Sequence, residues 1–144
     1  MIAIGCDHAA TELKEELKAY LLEKNIEVRD FGIAPGEKAD YPAVAFALSS
    51  AVTQGECRLG LLLCGTGVGM SIAANKVKGI RAACCSEPYS AMLSRRHNDS
   101  NVLCLGARVV GPELAKMILD TWLSAEFEGG RHADRVAMIN NAEC

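Results

Sequence analysis

The chain has 144 residues, is 50% hydrophobic and 23% charged, and carries a formal net charge of −3. This size suits one domain with a single buried core, so we expect residues 1–144 to form one domain. The balanced charge, with neither a Lys/Arg-rich run nor a long apolar run, argues against nucleic-acid and membrane partners, and the N-terminus lacks a signal-peptide pattern.

Short apolar segments alternate with amphipathic segments along the chain. Leu13, Leu17 and Leu21 recur at helical spacing, and Pro42 and Pro112 suit the first turn of a helix. In chain order, the predicted elements are a strand at 1–6, a helix at 11–25, a strand at 26–33, a helix from Pro42, a strand at 58–64, a helix from within the next loop to Gly79, a strand at 79–85, a helix from Pro88 to about Arg96, a strand within 101–110, a helix from Pro112 and a short helix in the tail. The predicted apolar side of the helix from Pro112 consists of Leu114, Met117, Ile118 and Trp122.

This alternation predicts an α/β fold. Strands that are apolar throughout are typical of a parallel sheet covered on both faces. We therefore expect a doubly wound, Rossmann-like, five-stranded parallel sheet with helices on both faces and a C-terminal helix. Ligands of such sheets bind beyond the carboxyl ends of the strands. The polar residues that follow predicted strands, and are expected at that edge, are Asp7, His8, the loop after Cys64, Ser86, Glu87 and Arg108.

The cysteine content predicts free thiols. The number of cysteines is odd and no two have CxxC spacing, so a disulfide framework and a zinc site are both poor interpretations. Several lie in apolar runs, where a thiol packs as a small hydrophobic group. We therefore expect a reducing, cytoplasmic location. The seven cysteines are Cys6, Cys57, Cys64, Cys84, Cys85, Cys104 and Cys144.

The stretch "LLLCGTGVGM" indicates a site for an anion. Gly65, Gly67 and Gly69 alternate with Thr66 and Val68, between a predicted strand and a predicted helix start. Glycines let main-chain N–H groups approach an anion closely at a helix N-terminus. The loop lacks the Gly-Lys-Ser/Thr of a Walker motif, and its glycine spacing differs from GxGxxG. A tight turn without a ligand is the alternative.

Proton-transfer candidates are few. Cys64 stands at the mouth of the glycine loop, where a thiolate is favoured, although packing alone would also explain a cysteine there. The three histidines, His8, His97 and His132, could each be surface residues, and none has HxxxH or HxH spacing to another, which argues against a metal site.

The arginines near the end of the chain suggest recognition of a phosphate group. Arg131 and Arg135 are four residues apart and share a helix face, and Arg108 follows a strand. Guanidinium groups suit a phosphate monoester dianion, although an ordinary solvated helix face is equally compatible with this spacing.

The chain resembles ribose-5-phosphate isomerase of type B, in the ribose/galactose isomerase family. The matching segments span nearly the whole chain in family order: "GCDHAA", "DYP", "CGTGVGMSIAANKVKGIRAA", "CSEPYSAMLSRRHNDSNVLCLGARVVG" and "EGGRHADRV". The resemblance implies an aldose–ketose isomerase that interconverts ribose 5-phosphate and ribulose 5-phosphate through a cis-enediolate without a metal or other cofactor. It also implies a homodimer, or a tetramer, with active sites shared between subunits.

The resemblance also implies roles for single residues. Cys64 is the expected base, and Thr66 is expected to be a second catalytic residue in the same loop. One branch of the family has a glutamate at the position of Met70 in place of the cysteine, so this chain falls on the cysteine side. His97 is the expected ring-opening residue, with His8 as the alternative. The implied substrate contacts are Asp7, His8, Tyr41, Gly65, Thr66, Gly67, Val68, Gly69, Asn98 from the partner subunit, and a phosphate clamp of Arg108, Arg131 and Arg135.

Three alternatives stay open at this point. One is an isomerase of six-carbon phosphates such as allose 6-phosphate or galactose 6-phosphate, which would differ in pocket depth. A second is a non-catalytic module that binds a sugar phosphate or nucleotide. A third is a redox domain that uses Cys84 and Cys85, although adjacent cysteines buried in a strand would be inert.

Overall fold

A computed structural model describes residues 1–142 as five strands and six helices. In chain order they are β1 (Ile2–Cys6), α1 (Thr11–Glu23), β2 (Val28–Asp30), α2 (Tyr41–Thr53), β3 (Leu59–Cys64), α3 (Val68–Ala74), β4 (Ala82–Cys84), α4 (Pro88–Asn98), β5 (Val102–Gly106), α5 (Pro112–Ser124) and α6 (Arg131–Asn140). No helix among these is long and apolar enough to cross a membrane.

The strands form one parallel sheet in the order β2-β1-β3-β5-β4. In the central register, Ile4 lies opposite Leu61, and Leu61 lies opposite Leu103. The predicted five-stranded parallel sheet is therefore confirmed. Two pairs of consecutive strands are separated, because β1 lies between β2 and β3, and β5 lies between β3 and β4.

Helices cover both faces of the sheet, as predicted. Successive side chains of a strand point to opposite faces, so Leu61 and Leu63 pack with α1 and α5, around the fully buried Trp122. Leu62 and Cys64 face the other way and pack with α2 and α3. The site described below is built where Cys64 ends the central strand β3.

Four element details differ from the sequence-based expectation. The edge strands β2 and β4 are shorter than predicted, because each pairs on one side only. The helix α3 starts inside the glycine loop as expected but ends at Ala74, before Gly79. Leu114 and Met117 are exposed, because the buried side of α5 is centred on Ala115, Ile118, Leu119 and Trp122.

Candidate active site

Three strand ends bring polar residues to one edge of the sheet. Asp7 directly follows β1, Cys64 is the last residue of β3, and Arg108 lies shortly after β5. These three strands are neighbours in the sheet. Main-chain hydrogen bonds hold these ends together: the Ala107 N–H donates to the Cys64 carbonyl (2.8 Å) and the Arg108 N–H to that of Gly65 (3.0 Å). This confirms the predicted convergence at the carboxyl edge. Glu87 also lies at this edge, after β4, where its carboxylate caps α4 by accepting the Ser90 N–H (3.0 Å).

The Cys64 thiol lies beside main-chain donors. Its Sγ accepts the Gly67 N–H at 3.1 Å, and the side chain is buried at the end of β3. The first helical bond of α3 runs from the Ser71 N–H to the Gly67 carbonyl, so Gly69 and Met70 point N–H groups out of the first turn. A negative charge on the sulfur, or on an oxygen held next to it, would be stabilised by these donors.

Close neighbours leave little room for side chains at the glycines of the loop. A Cβ on Gly69 would lie 2.8 Å from ring atoms of Tyr41, and one on Gly65 would lie 3.3 Å from Nη1 of Arg108. The loop therefore runs between the Tyr41 ring and the Arg108 guanidinium, as expected for residues that border a ligand. The loop also packs directly on Gly106 of β5, since a Cβ there would lie 2.6 Å from the Thr66 carbonyl.

Thr66, which the resemblance groups with the base, and Met70, where one branch of the family has a glutamate, both have structural roles. The Thr66 hydroxyl accepts the Val68 N–H at 3.2 Å, so this side chain shapes the loop itself. Met70 is fully buried in the cluster that also contains Cys64, on the side of the sheet that carries α3. A methionine thioether is only a weak acceptor and has no proton to exchange, so residue 70 is not a candidate base in this chain.

Gly67→Ala is expected to lower activity far more than stability. Gly67 has φ +82°, and an added Cβ would lie 2.9 Å from the Leu105 carbonyl carbon and 3.0 Å from the Cys84 sulfur. The loop must shift, which breaks the N–H···S contact, and loss of one such donor costs about 10²–10³ in rate. Gly36→Ala is the matched control, because Gly36 has φ +88° and open space around it. Steady-state kinetics and thermal unfolding would compare the two variants, and a Gly67→Ala protein with the kcat of Gly36→Ala would contradict this account.

Asp7 and His8 lie at the start of the same edge. The Asp7 carboxylate is buried and accepts the Ala9 N–H at 3.0 Å. His8 is exposed and lines a cavity of about 460 Å³ between the beginnings of α1 and α5. Both are placed where a ligand at the carboxyl edge would meet them.

The remaining predicted residues form a second cluster. His97 lies in the last turn of α4, and its ring stacks on that of His132 with centroids 4.2 Å apart. The Glu128 N–H donates to the Arg96 carbonyl (3.0 Å), which holds the start of α6 against the end of α4. Desolvation and the charges of His97 and Arg131 lower the pKa of His132 below 6.5. Spacing in the sequence could not reveal the His97–His132 pair, because the two lie on different helices.

The two clusters lie at opposite edges of the sheet in one chain. The helix α4 begins beyond the carboxyl end of β4 and runs back for eleven residues, about 16 Å. Its end lies beside the amino ends of β4 and β5, where Arg81 Nε donates to the Asp99 carbonyl (2.9 Å). A single chain therefore does not bring His97, Asn98, Arg131 and Arg135 to Cys64.

The adjacent cysteines differ from the expectation that both are buried. Cys84 is exposed, and its thiol donates to the Thr66 carbonyl at 3.6 Å. Cys85 is buried in the core on the other face, and its burial raises its pKa to about 11. Because the two sulfurs face opposite sides of the sheet, they do not form a redox pair. Cys6, Cys57, Cys64 and Cys104 are also free thiols, and Cys144 lies outside the described residues.

The three arginines of the expected phosphate clamp are exposed. Within residues 1–142, neither Arg108, Arg131 nor Arg135 forms an ion pair with a carboxylate. Their guanidinium groups are therefore available to an anionic ligand.

Comparisons with known proteins show the family of this chain. A profile of the Ribose/Galactose Isomerase family matches residues 2–139. The chain is 58% identical over 142 residues to ribose-5-phosphate isomerase B of Escherichia coli, covering 99% of this chain and 95% of that protein. It is 52% identical to D-erythrulose-4-phosphate isomerase of Pectobacterium atrosepticum, covering 99% and 94%. The solved structure of Clostridium thermocellum ribose-5-phosphate isomerase B superposes with a TM-score of 0.95, at 54% identity, and covers 96% of this chain and 94% of that one. The chain belongs to the ribose/galactose isomerase family.

Proposed function

We propose that this chain is an aldose–ketose isomerase that interconverts D-ribose 5-phosphate and D-ribulose 5-phosphate through a cis-enediolate. The observation that carries the proposal is the Cys64 sulfur, which lies at the carboxyl edge 3.1 Å from the Gly67 amide nitrogen. A base beside main-chain donors fits a reaction that removes a carbon-bound proton and places negative charge on oxygen. Relatives that are 58% and 54% identical carry the name ribose-5-phosphate isomerase B.

The proposed chemistry is a proton shuttle between neighbouring carbons. The Cys64 thiolate takes the proton from C2 of the open-chain aldose, and the electron pair moves through the enediolate to the oxygen on C1. The N–H groups of the glycine loop stabilise that oxygen, and a proton then passes from the hydroxyl on C2 to the oxygen on C1, which lies cis to it. As the carbonyl forms at C2, the Cys64 thiol gives its proton to C1, and the thiolate is regenerated. General acid–base groups of this kind contribute about 10²–10⁴ to a rate. We assign opening of the furanose ring to His97, with His8 as the alternative.

We propose that the active site is shared between two copies of the chain. The base lies at one edge of the sheet, whereas His97, Asn98, Arg131 and Arg135 lie at the other, so neither edge alone holds every group the reaction needs. A two-fold symmetric dimer that places one edge on the other would complete two equivalent sites. Exposed apolar side chains on α2, α3 and α6 supply surface for such contact: Phe46, Val68, Ile72, Met138 and Ile139. A tetramer made of two such dimers would contain the same sites.

The positions of the three arginines favour a substrate that carries a phosphate group. Arg108 lies over Gly65 at the base's own edge, while Arg131 and Arg135 occupy successive turns of α6. In the proposed dimer, Arg108 of one subunit and the α6 arginines of the other approach the same ligand from two sides. Holding the remote phosphate would position the reacting carbons against Cys64.

We also propose that the protein works in a reducing compartment, the cytoplasm. Six cysteines between Cys6 and Cys104 are free thiols, which is the state that reducing compartments maintain. The base itself must stay reduced, because only a thiolate sulfur can take up a proton.

A four-carbon substrate is the second candidate. The relative from Pectobacterium, which is 52% identical over 99% of this chain, is named D-erythrulose-4-phosphate isomerase. The same base and donors would serve aldose phosphates of four, five or six carbons, since the reacting atoms are always C1 and C2. Allose 6-phosphate and galactose 6-phosphate therefore belong in the same substrate panel.

Incubation of ribose 5-phosphate with the protein in D₂O tests the proposal. We expect ribulose 5-phosphate and deuterium at C1 or C2 in the NMR spectrum. A protein that binds ribose 5-phosphate, yet yields neither product nor exchange with any sugar phosphate of the panel, would instead be a binding module. Relative kcat/KM values across the panel would identify the preferred chain length.

A further inference from the structure

We propose that His97, Glu128 and His132 form a binding site for a divalent transition-metal ion, of which Zn²⁺ is the probe, and that occupation of this site inhibits the enzyme. The metal is not a cofactor of the reaction. Only the inhibition rests on the proposed isomerase function, whereas the binding stands on the geometry of these residues alone.

The three side chains converge on one point. Nε2 of His97 lies 3.6 Å from Oε1 of Glu128, and Nε2 of His132 lies 3.7 Å from the same oxygen. All three ligand atoms lie within 4.8 Å of one another. Ligands of a tetrahedral zinc ion, bound at about 2.0–2.1 Å, are separated by about 3.3 Å. Small side-chain rotations are therefore enough to close the site around an ion.

The two stacked imidazoles and the Glu128 carboxylate form a ligand set that favours transition metals. The His97 and His132 rings are 10° from parallel, with centroids 4.2 Å apart, and both direct a ring nitrogen toward Glu128. Two imidazoles and a carboxylate are a ligand set that zinc uses when a fourth position stays open. Imidazole suits zinc, cobalt and nickel, whereas magnesium and calcium prefer oxygen ligands. We therefore expect selection of transition metals over Mg²⁺ and Ca²⁺.

The backbone fixes two of the ligands relative to each other. The Glu128 N–H donates to the Arg96 carbonyl, next to His97 in α4. The His132 N–H donates to the Gly129 carbonyl at 3.1 Å, which sets the first turn of α6. The positive charges of the nearby Arg131 and Arg135 side chains repel a bound cation, so we expect the metal to bind more weakly than at a structural zinc site.

Inhibition follows from the role proposed for His97. A metal bound to Nε2 occupies the lone pair that the imidazole would use to accept a proton during ring opening. It also holds the ring against Glu128, and so away from a sugar. Removal of the metal by a chelator restores the free side chain, so the inhibition is reversible.

The binding is tested by titrating the chelator-treated full-length protein with Co²⁺ and Zn²⁺. We expect one Co²⁺ per chain, with a d–d absorption spectrum of a nitrogen- and oxygen-coordinated ion, which Zn²⁺ displaces. Glu128→Gln and His132→Asn each remove one ligand and should weaken binding at least about tenfold, since even the loss of an outer partner of a ligand costs 10–100-fold. Glu128 is exposed, so its replacement leaves the fold intact.

The competing explanation is binding to thiols, and Cys84→Ala is the control for it. Cys84 is an exposed thiol beside the glycine loop. We expect this variant to bind Co²⁺ as the parent does. A Co²⁺ spectrum with sulfur charge-transfer bands that disappears in Cys84→Ala would overturn the proposal, as would unchanged affinity in both Glu128→Gln and His132→Asn.

Kinetics then test the inhibition separately. Zn²⁺ should inhibit the parent and Cys84→Ala at the same concentration, and at least about tenfold more should be needed for Glu128→Gln. Equal inhibition of all three proteins would overturn the inhibitory role. A protein without isomerase activity would contradict the proposed function, and the Co²⁺ titration would still decide whether the metal site exists.

Discussion

Cys64→Ala is expected to lower kcat for ribose 5-phosphate by about 10²–10⁴-fold, the contribution of a general base. The methyl group of alanine cannot accept a proton from C2, while the neighbouring N–H donors and the arginines are untouched. KM should therefore change little, and deuterium exchange at C1 and C2 should disappear together with turnover. Kinetics and NMR in D₂O would measure both effects.

Cys84→Ala is the matched control for this prediction. Cys84 lies on the same side of the sheet and near the same loop, and desolvation, together with the proximity of Cys64, raises its pKa. Its thiol therefore stays protonated, and its loss should change kcat less than about threefold, since surface substitutions have small effects. If Cys84→Ala lost activity while Cys64→Ala kept it, the assignment of the base would be wrong.

Mixed dimers of Cys64→Ala and His97→Asn are expected to recover about half of the wild-type activity per dimer. In a two-fold symmetric dimer with shared sites, one site of the mixed dimer receives Cys64 from one subunit and His97 from the other, and the second site receives neither. The parent homodimers of each variant lack one group at every site. Co-expression with two different affinity tags would isolate the mixed species, and its kcat would be compared with those of the homodimers.

A second mixed dimer gives the opposite result and so serves as the control. It pairs a wild-type subunit with one that carries both substitutions, so each shared site lacks either Cys64 or His97, and activity should be low. Sites contained within one chain would reverse the pattern, with about half activity in this species and little in the first. That reversal would contradict the shared site.

The parts of the fold that the sequence predicted correctly are those set by local patterns. The central strands are continuous apolar runs because both faces are covered, and the prolines at positions 42, 88 and 112 lie in the first turns of α2, α4 and α5. The predictions were less accurate where a neighbour decides the outcome. Residues 26–33 form only a short strand at an edge, and Leu114 is exposed although its residue type is typical of a core.

The candidate site also has one part set by local sequence and another part set by packing. The proposed base and donors, residues 64–69, are contiguous in the chain, so a single strand–loop–helix segment fixes their geometry, and local patterns in the sequence were sufficient to predict that segment. Arg108 and Tyr41 flank that loop only because β5 lies beside β3 and the start of α2 packs on α3.

The sequence by itself therefore determined the fold class, the family and the strand–loop–helix segment around Cys64, because each depends on residues that are close together in the chain or on a motif order. Only the tertiary structure decided that His97 stacks on His132 beside Glu128, and that this cluster lies at the edge of the sheet opposite Cys64. Such contacts join residues of different helices, whose distance is set by how α4 and α6 pack and by the length of α4. No local spacing in the sequence records that packing.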